Sequence, residues 1–272
     1  MDSLNILNKL QDAVIENQQK DNFDTKNKFD KLKMYFAEDY DLNGIIVSQP
    51  TIGDILDIGE DRFYKSLSPF LYNSTSIRVM LWENKIDWNK VGDIEVFDIM
   101  NGIIQDKEPY KLFFKNVSFN DFQLVKLKNE TAEDDKGTFA LYSQSQDIIL
   151  KESHFMMIAE YIREMLNMHP KAEKAKGKSA KAWIIQEDKM KEQENKERTT
   201  SILLPLVSSC VNHPGFKYKL QELRQVGIYQ FMDSVKRIQK YENGTAALKG
   251  IYSGFVSAKD IDKNTLDFMG DI

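Results

Sequence analysis

One cysteine, Cys210, and three histidines in 272 residues leave no material for a disulfide framework and little for a zinc site. Six prolines and 13 glycines are too few for a collagenous or low-complexity chain. No apolar run approaches the roughly 18–20 residues that span a bilayer. The longest, Ile202 to Val211, is broken by Pro205, Ser208 and Ser209. Basic residues number 37 against 42 acidic ones, so the net charge of -5 lacks a nucleic-acid binder's basic excess. Asp2 and Asn5 stand where a secretory leader carries basic residues, which predicts an intracellular chain. The Asn-x-Ser/Thr triplets at Asn73, Asn116, Asn129 and Asn243 then carry no glycosylation meaning. What is present, 42% hydrophobic and 29% charged residues, suffices for one large or two ordinary domains.

Periodicity divides the chain into four parts. In residues 1–42, Leu4, Leu7, Leu10 and Val14 predict a short amphipathic helix, followed by a polar arm anchored by Phe23 and Phe29. Residues 43–169 read as a helical and β lobe. Thr51 and Asp54 suit a helix N-terminal cap, and Gly59 suits its stop. Phe63, Leu67, Phe70 and Leu71 share one helix face, which Pro69 should kink or end. Ile77, Met80 and Leu81 predict a second helix, and Ile94, Phe97, Met100 and Ile104 a third. Phe122–Lys128, Thr138–Ser143 and Asp147–Leu150 read as a small antiparallel β element near residues 113–150. Phe155, Ile158, Ala159, Ile162, Met165 and Leu166 then recur at helical spacing, with Pro170 as the stop.

Residues 170–198 read as a basic linker and a solvated helix. Lys171 to Lys181 holds five lysines, and Glu187 with Lys191, Glu192 with Lys196 and Glu194 with Arg198 form i,i+4 pairs. Residues 199–272 form a C-terminal helical lobe, with helices over Ile202–Val211 and through Ile228, Phe231, Met232, Val235 and Ile238 to a stop at Gly244. The expected class is α+β, mostly helical, with two helical lobes.

Reactive clusters are scarce. Gly244 and Gly250 bracket five residues, but Lys249 precedes the second glycine, where a phosphate loop needs lysine after it. Asp260, Asp262 and Asn264 mimic the first calcium ligands of an EF-hand, yet Thr265 occupies the obligatory glycine position. Cys210 and His213 share a helix face without further ligands or an oxyanion loop, and read as a core thiol beside a helix-ending histidine. Asp54 with Asp57 and Asp134 with Asp135 read as turn or surface acids. No catalytic, cofactor or metal residue is therefore expected. The aromatic set Phe63, Tyr64, Phe70, Tyr72, Trp82 and Trp88 is either a core or a binding groove.

Two groups of residues carry a resemblance. One runs from Gly53-Asp54-Ile55 through Arg62-Phe63-Tyr64 and Ser68-Pro69-Phe70 to Arg78-Val79-Met80-Leu81-Trp82 and Ile86-Asp87-Trp88. The other comprises Val211-Asn212-His213-Pro214-Gly215-Phe216-Lys217-Tyr218, Phe231 through Ile238, and Gly250 through Val256. Together they resemble tail-module proteins of tailed phages and prophages of Gram-positive bacteria, either tail-assembly-chaperone-like or minor tail and baseplate proteins. The resemblance implies a non-enzymatic protein that binds other tail proteins, such as the tape measure, tube or baseplate subunits. It places the chain in the host cytoplasm during assembly or in the virion tail. Self-association is left open, and neither membrane nor nucleic acid is an expected partner. The expected protein-binding residues are Phe63, Tyr64, Phe70, Trp82 and Trp88, with Phe216, Phe231 and Arg237 from the C-terminal part.

Overall fold

A computed structural model describes residues 29–127, 138–195 and 201–270. The predicted helix at Leu4–Val14, the acids Asp134 and Asp135, and the partners Lys196 and Arg198 lie outside the described residues. The structure is 56% helical, with one two-stranded and one three-stranded antiparallel sheet. The α+β class, mostly helical, is thus observed.

Helix α1 (Lys31–Tyr35) precedes a hairpin of β1 (Tyr40–Leu42) and β2 (Ile45–Val47). Asn43 and Gly44 make its two-residue turn, both at positive φ (54° and 87°), the backbone that Asn-Gly adopts most readily. An expected boundary between residues 42 and 43 therefore cuts through a hairpin. Helix α2 (Ile52–Ile58) begins with the predicted cap: the Asp54 amide donates to Thr51 Oγ1, and the Thr51 amide donates to the Asp54 carboxylate. Helix α3 (Glu60–Leu71) runs through Pro69 instead of ending there. Proline removes one amide donor, and the Ser68 hydroxyl donates to the carbonyl of Lys65, the acceptor left over.

Short helices α4 (Arg78–Glu83) and α5 (Asp93–Ile103) follow, with 3-10 turns at Trp88–Lys90 and Glu108–Leu112. Strands β3 (Phe122–Leu127), β4 (Thr138–Ser143) and β5 (Ile148–Lys151) pair in sequence order, with Phe122 opposite Ser143 and Leu141 opposite Leu150. Helix α6 (Glu152–Leu166) buries Phe155, Ile158, Ala159, Ile162, Met165 and Leu166, the predicted face. Its stop is Asn167, left-handed at φ 53°, rather than Pro170.

Helices α7 (Lys178–Asn195), α8 (Leu203–Val211), α9 (Leu220–Leu223), α10 (Ile228–Tyr252) and α11 (Lys263–Leu266) complete the chain. Helix α10 passes straight through Gly244, so the predicted stop is absent. Gly244 is needed for a different reason: a Cβ there would lie 2.8 Å from the carbonyl oxygen of Thr265, which packs against the helix. The chain turns only after Tyr252, at Gly254.

The two expected lobes share one core. Phe63, Phe70, Phe97, Phe113, Phe119 and Phe155 cluster with Leu203, Leu223, Ile228 and Phe231. Backbone bonds stitch the seam: Ile52 N–H donates to Val226, Gly53 to Arg224 and Ile228 to Pro50, at 2.8–3.0 Å. The Glu60 carboxylate accepts from the amides of Ile202 and Leu203, capping α8 from across the seam. A boundary between 43–169 and 199–272 therefore does not divide the hydrophobic interior. A second, smaller cluster of Ile77, Leu81, Trp88, Val96, Ala175 and Ile185 sits under α7.

Candidate functional site

Most of the expected binding residues turn inward. Phe63, Phe70 and Phe231 are 0% exposed and Trp88 is 1% exposed, so none presents a surface to a partner. Helical spacing is the same for a core face and a groove face, which is why sequence left the two open. Tyr64 is largely buried; burial, reinforced by Glu60, pushes its phenol well above the usual range. Phe216 packs edge-on to Tyr218 at 5.5 Å and lies partly buried against the main core. Arg237 donates to the carbonyl oxygens of Phe268 and Gly270 and thereby ties the C-terminal segment to α10. Trp82 is half-buried, its ring centroid 6.1 Å from that of Trp88.

Several of the groups weighed for chemistry are engaged elsewhere. Cys210 is buried, and burial raises its thiol pKa. His213 Nε2 lies 2.9 Å from the Glu242 carboxylate while Nδ1 accepts from the Gly215 amide, so neither nitrogen is left for the thiol. Asp54 caps α2, Asp57 pairs with Arg224 at 2.5 Å, and Asp262 caps α11. Among the described residues no group of three His, Cys, Asp or Glu could hold a metal ion, and no helix is long and apolar enough to cross a membrane.

Two surfaces stand out among the described residues. The first is the strap, residues 171–181, expected as a solvated linker. It is docked instead: Ala175 is buried, the Asn73 side chain donates to the Lys171 carbonyl at 3.1 Å, and Trp88 Nε1 donates to the Glu173 carbonyl at 3.1 Å. Lys181 Nζ reaches both carboxylate oxygens of Asp87 at 2.7 Å and sits over the Trp88 ring, 5.4 Å from its centroid. Helix α7, expected as solvated, follows the strap down: Arg78 makes a two-bond fork to Asp188 and also pairs with Glu173, and Ile185 is buried. Its outer face does keep the predicted Glu187–Lys191 pair, at 2.6 Å, and an exposed Trp183. A hollow of about 540 Å³ beside the strap is lined by Trp82, Ile86, Lys85 and Lys178.

The strap has a pH dependence. Hydrogen bonding from Lys181 is the largest cause holding the Asp87 carboxyl below its ordinary value. A carboxyl lowered in the folded state contributes stability above the ordinary aspartate pKa, about 3.9, and loses it as the pH falls through the lowered value. Acidification from pH 6 is thus expected to loosen the strap below about pH 4. Near-ultraviolet circular dichroism of the tryptophans would follow this, and Asp87→Asn should remove that acid step; an unchanged profile would show the pair to be irrelevant.

The second surface is the C-terminal hairpin. Helix α10 is embedded through Ile228, Phe231 and Met232, and beyond them its buried residue is Gly244. Twenty-five residues make a rod of about 37 Å; Val235 and Ile238 still pack against the core and Glu242 meets His213. The returning segment lies along it, with Thr265 against Gly244 and Phe268 edge-on to Tyr241 at 5.8 Å. Residues 252–260 are exposed throughout, and at the tip Tyr252 and Phe255 are 84% and 88% exposed. Burial of Phe or Tyr normally stabilises a protein, so two such rings in water make the tip a candidate contact surface. The hydrophobic pattern signalled this weakly, because Gly254 and the mixed polarity after Gly250 resemble an ordinary irregular end.

Fold and surfaces together define a mostly helical α+β protein with an aromatic-tipped C-terminal hairpin. The family described as the YomV second domain matches residues 194–272, which takes in α8 to α11 and the whole hairpin. YomV is a protein of a Bacillus phage and prophage region, so the family matched over this part is phage-related. No curated protein and no solved structure matches the chain.

Proposed function

We propose that this protein is a non-catalytic phage tail assembly factor that holds a tail protein, such as the helical tape measure, against the tip of its C-terminal hairpin. The observation that carries the reading is the exposure of Tyr252 and Phe255 within the segment that matches a phage-derived family. A tail chaperone must shield an aggregation-prone helical chain and then release it. Fully burying an aromatic side chain is worth roughly 1.5–3 kcal/mol, so two tip anchors supply a grip well short of the ~12 kcal/mol of a nanomolar complex. Such a grip is reversible when tube subunits arrive.

Two measurements test this. Quantitative mass spectrometry of purified particles and of the lysate should find the chain abundant in the lysate and absent from particles. Fixed stoichiometry in the particle would instead make it a structural component of the tail or baseplate. The double substitution Tyr252→Ser with Phe255→Ser should leave the melting transition within about 0.5 kcal/mol of the parent, since surface changes seldom exceed that, while cutting the yield of complete tails. Unaltered tail yield would remove the tip from the mechanism.

A further inference from the structure

Residues 171–175 are held the way a binding protein holds a peptide. The Asn73 amide donates to the carbonyl of Lys171 at 3.1 Å. Thr75 Oγ1 accepts from the Glu173 amide at 2.9 Å and donates to its carbonyl at 3.3 Å, where Trp88 Nε1 also donates. Asn89 closes the far end as a two-sided clamp, donating to the Ala175 carbonyl at 2.7 Å and accepting from its amide at 3.4 Å. The bonded residues are 171, 173 and 175, an alternation that extended backbone produces because successive residues face opposite ways. Ala172, Lys174 and Lys176 are exposed, as are Lys171 and Glu173, while Ala175 is buried.

Two side chains of the segment are also read. Arg78, itself largely buried, meets the Glu173 carboxylate at 2.6 Å, and the Ala175 methyl enters the small cluster with Leu81, Trp88 and Ile185. A segment that merely connects α6 to α7 needs none of this. Side-chain hydrogen bonds to main chain give sequence-tolerant affinity, and pockets for alternate side chains give specificity, which is how domains that capture extended peptides divide the task.

We propose that the face formed by Asn73, Thr75, Arg78, Trp88 and Asn89 is a peptide-binding groove for an extended segment of another protein with the pattern Glu-x-Ala, and that residues 171–175 are its tethered occupant. Tethering gives the strap an effective concentration in the millimolar range, so an incoming peptide competes poorly until the strap is displaced. Release of the strap would then couple groove opening to movement of α7, whose outer face carries Trp183. The proposal is independent of the tail-assembly reading, and its test needs no other phage protein.

The test uses a fluorescent peptide of residues 171–181 and a full-length chain carrying Ala175→Arg, a strap residue whose new side chain cannot enter the small cluster. Saturable binding to this variant, at least about tenfold tighter than to the unsubstituted chain, is the expected result. A scrambled peptide of equal charge should not bind, and Asn89→Ala in the same background should abolish binding. Equal binding of the scrambled peptide, or none to a variant that keeps its melting transition, overturns the proposal. Should Ala175→Arg prevent folding, hydrogen exchange of residues 171–181 in the unsubstituted chain decides. Millimolar peptide should accelerate it and scrambled peptide should not, and exchange unaltered by the peptide overturns the groove.

Discussion

Phe70→Ala is expected to lower the free energy of unfolding by about 3–5 kcal/mol, the cost of a large aromatic cavity in a packed core. The ring is fully buried and lies at the centre of an aromatic cluster, with centroid distances of 5.2 Å to Phe97, 5.5 Å to Tyr110, 5.4 Å to Phe114 and 5.3 Å to Phe119. These partners come from α5, the 3-10 turn at Glu108–Leu112 and the segment leading into β3, so the cavity cannot close by shifting one element. Urea denaturation would measure the change. A loss below about 1 kcal/mol, the scale of a surface substitution, would mean that Phe70 is not core and would restore it as a binding residue.

Arg163→Leu should destabilise the chain by a similar ~3–5 kcal/mol, through electrostatics instead of volume. Only 7% of its side chain is exposed, yet it pairs with Asp93 at 2.8 Å and donates to the carbonyls of Phe70 and Tyr72, each at 2.9 Å. Those carbonyls close the C-terminal end of α3, so one cation satisfies the end of a helix and the first turn of α5 together. Removing it strands a carboxylate in a site only one-fifth exposed, along with two unpaired acceptors. Adding Asp93→Asn to Arg163→Leu should recover part of the loss, because the uncompensated charge is then gone. A double variant no more stable than the single one would show that the carbonyl bonds, and not the ion pair, carry the effect.

Both residues illustrate what could be read without coordinates. The spacing of Phe70 puts it on the helix and face where it lies, but suits a groove as well as a core. Arg163 lies outside the apolar set of α6, and nothing local announces that an arginine will meet the end of a distant helix. The cap at Thr51 and Asp54, the face of α6 and the three strands between Phe122 and Lys151 were legible because each depends on neighbours within a few residues. The Asn43-Gly44 turn is equally local, a two-residue hairpin signal that coincides with the expected boundary. Gly244 misled because a glycine after a periodic run suits a helix stop as well as a close approach to another segment.

The candidate surfaces divide the same way. That this chain is mostly helical with a small antiparallel element was settled by its amino acids, because composition and local periodicity act over short stretches of chain. That the lysine-rich segment docks on the fold, that Trp88 is core, that two expected lobes share one interior and that Tyr252 and Phe255 are exposed at the end of the C-terminal hairpin were decided only by tertiary structure. Each of these depends on which distant residues meet, as Asn73 meets Lys171 and Val226 meets Ile52, and a linear pattern carries no record of such meetings.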